Sequence, residues 1–498
     1  MLNLKDFIEA LRKKKLLIDL HEQISTNLQL TQLADKLIKQ KGPAVLCHNV
    51  INERGIKNNT PVLINLFGTA ERIALGLGIE TNGFTKLGEE LAFLRNPTPP
   101  KNFKDALSYL PIIKKVLKMS PNIVKSAYAQ DVIYEGDNIN LDNLPIQTCW
   151  PNEVAPLITW GVVITKGPSK GAIDEQAVDD YNMGIYRMQK LNKNQLIMRW
   201  LAHRGGAQQF KRWQEQNPGK PMPVAVAIGL SPQVLLSAVL PLPENVSEYK
   251  FAGLLANKKI NLVKAKTLDL LVPADAEIIL EGFIDGTTHP EGPYGDHTGF
   301  YNDVEDFPVF TITAITTCKN PVYLTTHTGK PMDEPAVLGE ALNDILVPML
   351  KAQYPEIVDF YLPPHACSYR MAFVSIKKSY PGHAKRIMFG VWGFLRQFMY
   401  TKFVYVFDGD INVRDYGEVL WALSTQVDPA RDTLMVENTP IDYLDFASPS
   451  SGLGSKMGVD ATSKMPPETN RNWGKKLAMD DKTIKEVDDL LEKIKINI

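Results

Sequence analysis

The sequence predicts a mixed α/β and β protein built from two or three domains in succession. Three observations support this prediction. The chain of 498 residues is longer than the roughly 100–200 residues of one domain. Helical and strand patterns alternate near both ends of the chain, and short β-rich runs fill its middle. We therefore expect an α/β unit, then a β barrel or sandwich, then a second α/β unit.

The first unit is predicted over residues 1–125. Apolar residues recur near helical spacing twice between residues 4 and 40, which predicts two amphipathic helices. Buried strands are predicted at 44–47 and 61–66, followed by a helical pattern over 69–94. The prolines at 97–100 mark the end of this pattern, because each proline lacks an N–H and restricts the residue before it.

The second unit is predicted over residues 126–330 and consists of many short β-rich runs. One helix, over 208–216, is expected to stop at the sequence Asn217-Pro218-Gly219. Short strands in such number are typical of a barrel or a sandwich. The predicted strands are 158–165, 183–188, 195–200, 223–228, 261–265, 277–283, 309–315 and 321–325.

The third unit is predicted over residues 331–498, where helix and strand alternate and indicate a parallel sheet. A Gly- and Ser-rich connection over 449–467 leads to a final amphipathic helix over 483–496. The apolar run 388–400 is expected in the core or at a contact between subunits, so we predict a homo-oligomer. The predicted helices are 337–352, 383–399 and 417–425, and the predicted strands are 371–375, 403–407 and 433–436.

Composition excludes several classes of protein. The net charge is -1, from 55 Lys and Arg against 56 Asp and Glu, so no global positive field attracts nucleic acid. The four cysteines show no CxxC spacing, which argues against a zinc knuckle or a disulfide framework and favours a reducing cytoplasm. Neither a secretory signal nor a spanning helix is predicted, so the protein is expected to be soluble or at most peripheral to a membrane.

The most informative motif is 290–297, which reads Pro-Glu-Gly-Pro-Tyr-Gly-Asp-His. Its two carboxylates, Glu291 and Asp296, lie on a loop that two glycines and two prolines restrict. Neighbouring carboxylates repel when both are charged, so we expect the pKa of one to be raised and that residue to act as a general acid. A tight turn with two solvated acids explains the spacing equally well.

A second group of polar residues follows two predicted strands, at 182–187 and 199–206. Three arginines precede or accompany Gly205 and Gly206 at the start of a predicted helix, an arrangement that suits a phosphate. Arginines on a solvated sheet edge are the alternative. Asn182, His203 and Glu248 would offer two oxygen ligands and one nitrogen ligand, which suits Mn²⁺ or Mg²⁺ better than zinc, although spacing gives this set little support.

Two further patterns bear on function. No GxGxxG or GxxxxGK[ST] motif lies at a strand-helix junction, so neither a dinucleotide fold nor a P-loop is indicated. Lysines alternate with aliphatic residues after residue 110 and could face an anionic membrane, while a solvated helix face explains them more simply. These lysines are Lys114, Lys115, Lys118 and Lys125.

Taken in order, these segments resemble the UbiD family of reversible decarboxylases, and within it the 3-octaprenyl-4-hydroxybenzoate carboxy-lyase branch of ubiquinone synthesis. The resemblance implies an N-terminal α/β domain, a central FMN-binding split β-barrel and a C-terminal α/β oligomerisation domain. It covers most of residues 150–460 and rests on segments such as NMGIYR, LIMRWLAHRGGA, VSEYKFAGLL, LEGFIDGTTHPEGPYGDHTGFY, DEPAVLGEALNDILVP and VENTPIDYLDFASPSSGLGSKMG.

The resemblance also implies roles for individual residues. Asn182 and Glu248 match metal-ligand positions, with His203 near a third, and the metal would be Mn²⁺ or another divalent ion, possibly with K⁺. Arg187, Glu291 and Asp296 match the catalytic set, with Asp296 as the proton donor. The residues that match contacts to prenylated FMN are Ile185, Tyr186, Arg187, Arg199, Trp200, Leu201, Arg204 and Gly205.

The implied reaction is decarboxylation of 3-polyprenyl-4-hydroxybenzoate to 2-polyprenylphenol, with prenylated FMN as the electron sink. A small soluble aromatic acid is the alternative substrate, and a flavin-binding scaffold without catalysis is the alternative function. The complete Arg-Glu-Asp set argues against a scaffold. The implied partners are a flavin prenyltransferase that supplies the cofactor, five further copies in a homohexamer, and the inner membrane as a peripheral contact of a cytoplasmic protein.

Overall fold

The computed structural model describes residues 3–97, 99–167, 178–202, 204–240, 247–394 and 396–494. Its first part packs helices against a small sheet, as the periodicity predicts. In chain order the elements are α1 (Leu4–Lys13), β1 (Leu17–Ser25), α2 (Gln29–Lys39), β2 (Ala44–Ile51), β3 (Lys57–Asn58), β4 (Val62–Ile64), α3 (Ala70–Leu77), α4 (Phe84–Arg95), α5 (Phe103–Ser108) and α6 (Leu110–Val116).

Strand β1 was not predicted from the sequence. It lies at the edge of the sheet, parallel to β2, and buries only Leu17 and Ile24 among its nine residues. An edge strand with so few buried side chains shows little alternation, which explains why the pattern missed it. The last strand of this sheet is β17 (Tyr323–Leu324), which pairs with β4 although it follows the central part of the chain.

The central part contains the predicted series of short strands. Nine of its strands form one sheet in the order β7-β10-β11-β16-β15-β12-β8-β9, with β6 beside β16, and β5, β13 and β14 form a second, three-stranded sheet. The elements are β5 (Asn122–Val124), β6 (Val132–Glu135), β7 (Leu157–Ile158), β8 (Val162–Lys166), β9 (Tyr181–Ile185), β10 (Met188–Lys190), β11 (Gln195–Met198), α7 (Gly205–Gln216), β12 (Met222–Ile228), α8 (Pro232–Ser237), α9 (Glu248–Ala256), β13 (Asn261–Lys264), β14 (Leu271–Pro273), β15 (Ile278–Glu291) and β16 (Glu305–Thr317).

The nine-stranded sheet curls into a half-barrel, which confirms the predicted split β-barrel. All of its pairings are antiparallel, and the long hairpin of β15 and β16 lies in the middle of the strand order. Irregular register after Glu281 and after Ile284 bends this hairpin. The end of β15, at Glu291, lies beside the hairpin of β10 and β11, where Gln189 of β10 accepts the N–H of Gly292 at 3.0 Å.

The C-terminal part is a second α/β unit. Its elements are α10 (Glu334–Gln353), β18 (Ile357–Tyr361), β19 (Met371–Ile376), α11 (His383–Phe394), β20 (Phe403–Asp408), α12 (Tyr416–Gln426), α13 (Pro429–Asp432), β21 (Thr433–Pro440), β22 (Leu453–Ala461) and α14 (Asp481–Lys493). Six short 3₁₀ turns complete the described elements of the chain, at Tyr128–Gln130, Gly136–Asn138, Leu141–Asn143, Pro364–Ala366, Ser368–Arg370 and Arg396–Tyr400.

The C-terminal sheet is mixed, whereas the sequence predicted a parallel one. Strands β19, β20 and β22 are parallel, but β18 and β21 run antiparallel at the two edges. Strand β22 lies inside the stretch predicted to be a connection. Gly458 in this strand is explained by packing, because a Cβ there would lie 2.4 Å from the sulfur of Met388 in α11.

The apolar run predicted for the core is largely buried there. Met388, Val391 and Trp392 of α11 pack in the C-terminal core, while Phe389 is 56% exposed. Helix α14 buries none of its residues and exposes an apolar stripe of Ile484, Val487 and Leu490. Among the described residues, no helix combines the length and apolar character needed to span a bilayer.

Candidate active site

The candidate site begins with two arginines on neighbouring strands. Arg187 lies directly before β10 and Arg199 directly after β11, and the antiparallel register that pairs Met188 with Met198 sets the two arginines opposite each other. The N–H of Arg199 donates to the carbonyl of Arg187 at 3.3 Å. Strand pairing therefore places both guanidinium groups at one end of the hairpin of β10 and β11. Glu291, the last residue of β15, lies at the same end.

Glu291 is fully buried and is held by both arginines. Arg187 donates from Nε to Oε1 at 2.8 Å and from Nη2 to Oε2 at 3.1 Å, so the two side chains form a bidentate pair. Nη1 of Arg199 donates to Oε2 of the same carboxylate at 2.9 Å. A buried carboxylate that accepts three charged donors is fixed in position and orientation.

Asp296 lies on the other side of the same guanidinium. Nη1 of Arg187 donates to Oδ2 of Asp296 at 2.7 Å, so Arg187 lies between the two carboxylates of the motif. The spacing predicted that these acids would repel and that one pKa would be raised. Burial does act to raise the pKa of Asp296, but the hydrogen bond from His297 and the charge of Arg187 outweigh it and hold this pKa well below its usual range.

The loop that carries Asp296 is fixed by backbone and aromatic contacts. The N–H of Asp296 donates to the carbonyl of Phe300 at 3.0 Å, and that of Gly299 donates back to the carbonyl of Asp296 at 2.8 Å. Gly295 must be glycine, because a Cβ there would lie 2.1 Å from the indole of Trp150. These contacts are those of a buried and ordered loop, not of a turn with two solvated acids.

Two residues of the site were missed by sequence reasoning. Asn302 accepts from Nη2 of Arg187 and from the N–H of Tyr294, both at 2.8 Å, through its side-chain oxygen. The ring of Tyr294 is buried, and the guanidinium of Arg187 lies 5.3 Å from its centre. Both residues lie within the GPYGDHTGFYN segment, whose richness in polar and aromatic residues was the available signal.

A third missed residue is His297, which extends the site toward the C-terminal part. Its Nδ1 lies 2.8 Å from Oδ1 of Asp296 and its Nε2 lies 3.7 Å from Oδ2 of Asp442. Burial lowers the pKa of His297, but the two carboxylates outweigh burial and raise this pKa to about 9. The pKa of Asp442 is lowered to about 2, because the pairing with His297 outweighs the effect of burial. His297 is therefore an imidazolium at neutral pH.

Two of the three predicted metal ligands lie on neighbouring elements, β9 and α9. Asn182 is in β9, and Oε2 of Glu248, the first residue of α9, accepts the N–H of Met183 at 3.1 Å. Burial raises the pKa of Glu248 to about 7, and Nδ2 of Asn182 is buried without a hydrogen-bond partner. The oxygen ligands that Mn²⁺ or Mg²⁺ prefers would here be the desolvated carboxylate of Glu248 and the amide oxygen of Asn182, not the unpartnered Nδ2.

The third predicted ligand, His203, lies outside the described residues. Within the ranges that the structure describes, no three His, Cys, Asp or Glu side chains form a metal-binding group. The amide of Asn182 is not counted in such a group. All three predicted metal ligands stay predictions.

The predicted cofactor contacts surround the start of α7. Gly205 opens this helix, and a Cβ there would lie 2.2 Å from Oδ1 of Asn182. The N–H of Gly206 donates to the hydroxyl of Tyr186 at 3.0 Å, and the ring of Tyr186 packs edge-on against Trp200. The start of a 12-residue helix beside the candidate metal ligands fits a phosphate group. Of the other predicted contacts, Ile185 is the last residue of β9, Leu201 follows the end of β11 at Met198, and Arg204 is the N-cap of α7.

Comparisons with family models all match the chain to domains of one family. Three family models match consecutive parts of the chain: the 3-octaprenyl-4-hydroxybenzoate carboxy-lyase N-terminal domain at residues 8–91, its Rift-related domain at 122–331 and its C-terminal domain at 336–461. Together these matches span most of the 498 residues.

Solved structures of similar fold cover nearly the whole chain. Vanillic acid decarboxylase of Sedimentibacter hydroxybenzoicus in closed form is 27% identical, with 99% of each chain covered and a TM-score of 0.82. The UbiD-class enzyme HmfF from Pelotomaculum thermopropionicum in complex with FMN is 26% identical, covers 98% of this chain and 100% of its own, and has a TM-score of 0.77. An evolved dimeric form of that enzyme in complex with prFMN is 25% identical, covers 98% and 99%, and has a TM-score of 0.75.

Proposed function

The chain belongs to the UbiD family of carboxy-lyases, and from this premise we propose that it decarboxylates an aromatic acid with prenylated FMN as cofactor. The observation that carries the proposal is the buried set of Arg187, Glu291 and Asp296, in which one guanidinium is shared by two carboxylates. The FMN and prFMN complexes of the similar enzyme support the choice of cofactor. When bound, prenylated FMN supplies the electron sink that side chains cannot offer to a carbanion on an aromatic ring.

Arg187 is proposed to orient the carboxylate of the substrate. Its Nε and Nη2 are held by Glu291, whereas its Nη1 donates to Asp296. A substrate carboxylate can therefore replace Asp296 on Nη1. When the substrate takes this position, Asp296 loses part of its stabilisation as an anion and its pKa rises. Asp296 then holds a proton and delivers it to the ring carbon from which CO₂ has left, so one proton replaces one CO₂.

Asn182 and Glu248 are proposed to hold a divalent ion, Mn²⁺ first, at the phosphate end of the cofactor. Asn182 lies beside the start of α7, where the helix dipole favours an anion. A cation there offsets the charge of the phosphate. K⁺ is a further candidate for the same oxygen ligands.

For the substrate we propose 3-polyprenyl-4-hydroxybenzoate, which would be converted to 2-polyprenylphenol in ubiquinone synthesis. The supporting observation is an exposed aromatic pair close to Asp296: Phe300 is 64% exposed, Phe446 is 49% exposed, and their ring centres lie 6.1 Å apart. An apolar surface beside the site suits a substrate with an apolar tail. The similarity to vanillic acid decarboxylase favours a small soluble aromatic acid as the alternative substrate.

The test of activity is production of the chain together with a flavin prenyltransferase, which is the proposed supplier of the cofactor. Mass spectrometry and an absorption spectrum then report the bound flavin, and CO₂ release is measured with 4-hydroxybenzoate, vanillate and 3-prenylated 4-hydroxybenzoate. Preference for the prenylated acid, lost when Phe300 is replaced by Asp, supports the polyprenyl substrate. Equal turnover of all three acids assigns the small-acid alternative, and a loaded protein without turnover of any of them contradicts a decarboxylase.

We also propose a peripheral contact with the inner membrane through residues 101–125, which contain six lysines and one aspartate. Large apolar side chains are exposed within this segment, with Phe103 at 80% and Leu117 at 67%. Lysine beside exposed aliphatic residues is typical of helices that lie on anionic lipid. Sedimentation with vesicles containing anionic lipid, compared with neutral vesicles, tests this contact, and equal recovery in both supernatants contradicts it.

A further inference from the structure

His297 links the proposed proton donor to the C-terminal part of the chain. Besides the contact from its imidazole at 2.8 Å, its backbone N–H donates to the same oxygen of Asp296 at 2.7 Å. On the other side of the ring, Nε2 faces Asp442, in the loop after β21. The side chains of His297, Asp296 and Asp442 are only 20%, 12% and 10% exposed, so solvent screens these contacts weakly.

Asp442 is itself held within the C-terminal part. Nη2 of Arg370 lies 3.2 Å from Oδ2 of Asp442, and Nη1 of the same arginine lies 3.4 Å from Oδ1 of Asp445. Nζ of Lys402 lies 2.6 Å from Oδ2 of Asp445. Charges of opposite sign therefore alternate from Arg187 through Asp296, His297, Asp442, Arg370 and Asp445 to Lys402.

A further charge that interacts with His297 is that of Asp333, the N-cap of α10. Asp333 is buried and accepts the N–H groups of Gly329 and Ala336, so it stays in place whether or not Asp442 does. Asp442 is thus the one partner of His297 that lies in the loop after β21. We name the contact between His297 and Asp442 the central–C-terminal contact.

We propose that His297 is a positioning residue, which keeps Asp296 in its reactive orientation as long as the central–C-terminal contact is formed. When a substrate carboxylate takes Nη1 of Arg187, Asp296 keeps only the donors on Oδ1, which are the backbone N–H and the imidazole of His297, so the imidazole is then the one side chain that holds this carboxylate. Without Asp442 the imidazolium loses a counter-charge and its orientation. The proposal rests on the proposed function, because it takes Asp296 to be the proton donor.

This coupling would join proton delivery to the packing of the C-terminal part against the central part. The proton donor is correctly oriented when the contact is formed. An open arrangement would therefore bind substrate without protonating the ring carbon. The role differs from that of Arg187, which contacts the substrate directly.

The test is a double-mutant cycle on the enzyme loaded with prenylated FMN. We expect His297→Asn and Asp442→Asn each to lower kcat about 10–100-fold, the loss typical of a partner that orients a reacting group. The double variant should be no slower than the slower single variant, because both changes break one link. His297→Gln is a second variant that retains a hydrogen bond without the charge, and His365→Asn, at an exposed residue of the C-terminal part, is the control.

Two further readouts separate this role from a merely structural one. In the wild type, kcat should fall as pH rises through about 9, where His297 loses its proton, and this limb should move to lower pH in Asp442→Asn. Hydrogen exchange of the backbone over residues 440–448 should be faster in His297→Asn with flavin content unchanged. Unchanged kcat in all single variants, or losses that multiply in the double variant, would overturn the proposal.

Failure of this proposal can be distinguished from failure of the proposed function. If the loaded wild type turns over no aromatic acid, the proposed function fails, while hydrogen exchange in the variants still tests the link. Unchanged exchange over 440–448 in both single variants then overturns the link as well. If the wild type is active and the variants match it, only the positioning role of His297 is overturned.

Discussion

The substitution Asp296→Asn separates binding from chemistry at the proposed active site. Metal and flavin are proposed to be held by Asn182, Glu248 and the start of α7. The side-chain hydrogen bonds of Asp296 go to Arg187 and His297 instead. Cofactor content should therefore equal that of the wild type. An amide keeps the size of the side chain but cannot carry the acidic proton, so turnover should fall about 10²–10⁴-fold.

The magnitude follows from the contacts that the carboxylate makes. A loss of 10²–10⁴ in rate corresponds to about 2.7–5.4 kcal/mol of activation free energy. Asp296 accepts from Arg187 at 2.7 Å and from His297 twice, at 2.7 and 2.8 Å. An asparagine oxygen can replace one side of the carboxylate but not both, so about one charge-assisted hydrogen bond is lost, at about 1.5–3 kcal/mol of unfolding free energy. At the assay temperature this loss of stability should unfold only a small fraction of the variant. The fall in turnover should therefore be much larger than the unfolded fraction explains.

The assay combines CO₂ release, a flavin spectrum and a melting curve on the same preparation. The matched control is Asp306→Asn, at an exposed aspartate of β16, which should leave all three readouts unchanged. If Asp296→Asn keeps wild-type turnover, Asp296 is not the proton donor. If activity, flavin content and melting temperature fall together, Asp296 braces its loop, and Glu291 becomes the candidate donor.

Four further outcomes follow from the structure. Asn182→Ala or Glu248→Gln should lower bound metal and flavin together, measured by elemental analysis and absorption, and full occupancy in both would remove them as ligands. Glu291→Gln should lower the unfolding free energy by about 3–5 kcal/mol in a denaturant titration, because the guanidinium groups of Arg187 and Arg199 lose their shared anion. An unfolding free energy equal to that of the Asp306→Asn control would contradict this prediction. The pKa of His297 is raised above its ordinary 6.5 to about 9, so its stabilising charge is fully present below 6.5 and lost as pH rises through 9; melting temperature should fall over this range, less so in His297→Asn. Light scattering should show a homo-oligomer that dissociates when residues 481–498 are removed, since α14 exposes its apolar stripe, and a monomeric full-length chain would refute this.

Much of the fold was predictable from periodicity, and the misses have a common cause. The order of an α/β unit, a curled antiparallel sheet and a second α/β unit follows from local patterns, because buried helix faces and buried strands impose spacing on apolar residues. Strands β1 and β22 were missed because their sequences depend on where each strand lies in its sheet and on what packs against it. The first is a mostly exposed edge, and the second makes room for Met388 with Gly458.

The sequence by itself determined which chemical groups the site contains. Arg187, Glu291 and Asp296 were predicted as the catalytic set, and Asn182 and Glu248 as oxygen ligands, because motif and resemblance depend only on residue type and order. In the structure Arg187 contacts both Glu291 and Asp296, and Glu248 accepts from the backbone N–H of Met183, the residue after Asn182. Their roles in catalysis and metal binding stay predictions that the variants above test.

Tertiary structure alone decided how these groups are charged and what they contact. The spacing of Glu291 and Asp296 predicted repulsion and a raised pKa. The guanidinium of Arg187 lies between them instead, and the hydrogen bond from His297 together with this guanidinium lowers the pKa of Asp296 against the effect of burial. The contact between His297 and Asp442 joins residues far apart in the chain. The physical reason is that a pKa depends on every charge within a few ångströms in a desolvated site, and those neighbours are chosen by packing rather than by adjacency in sequence.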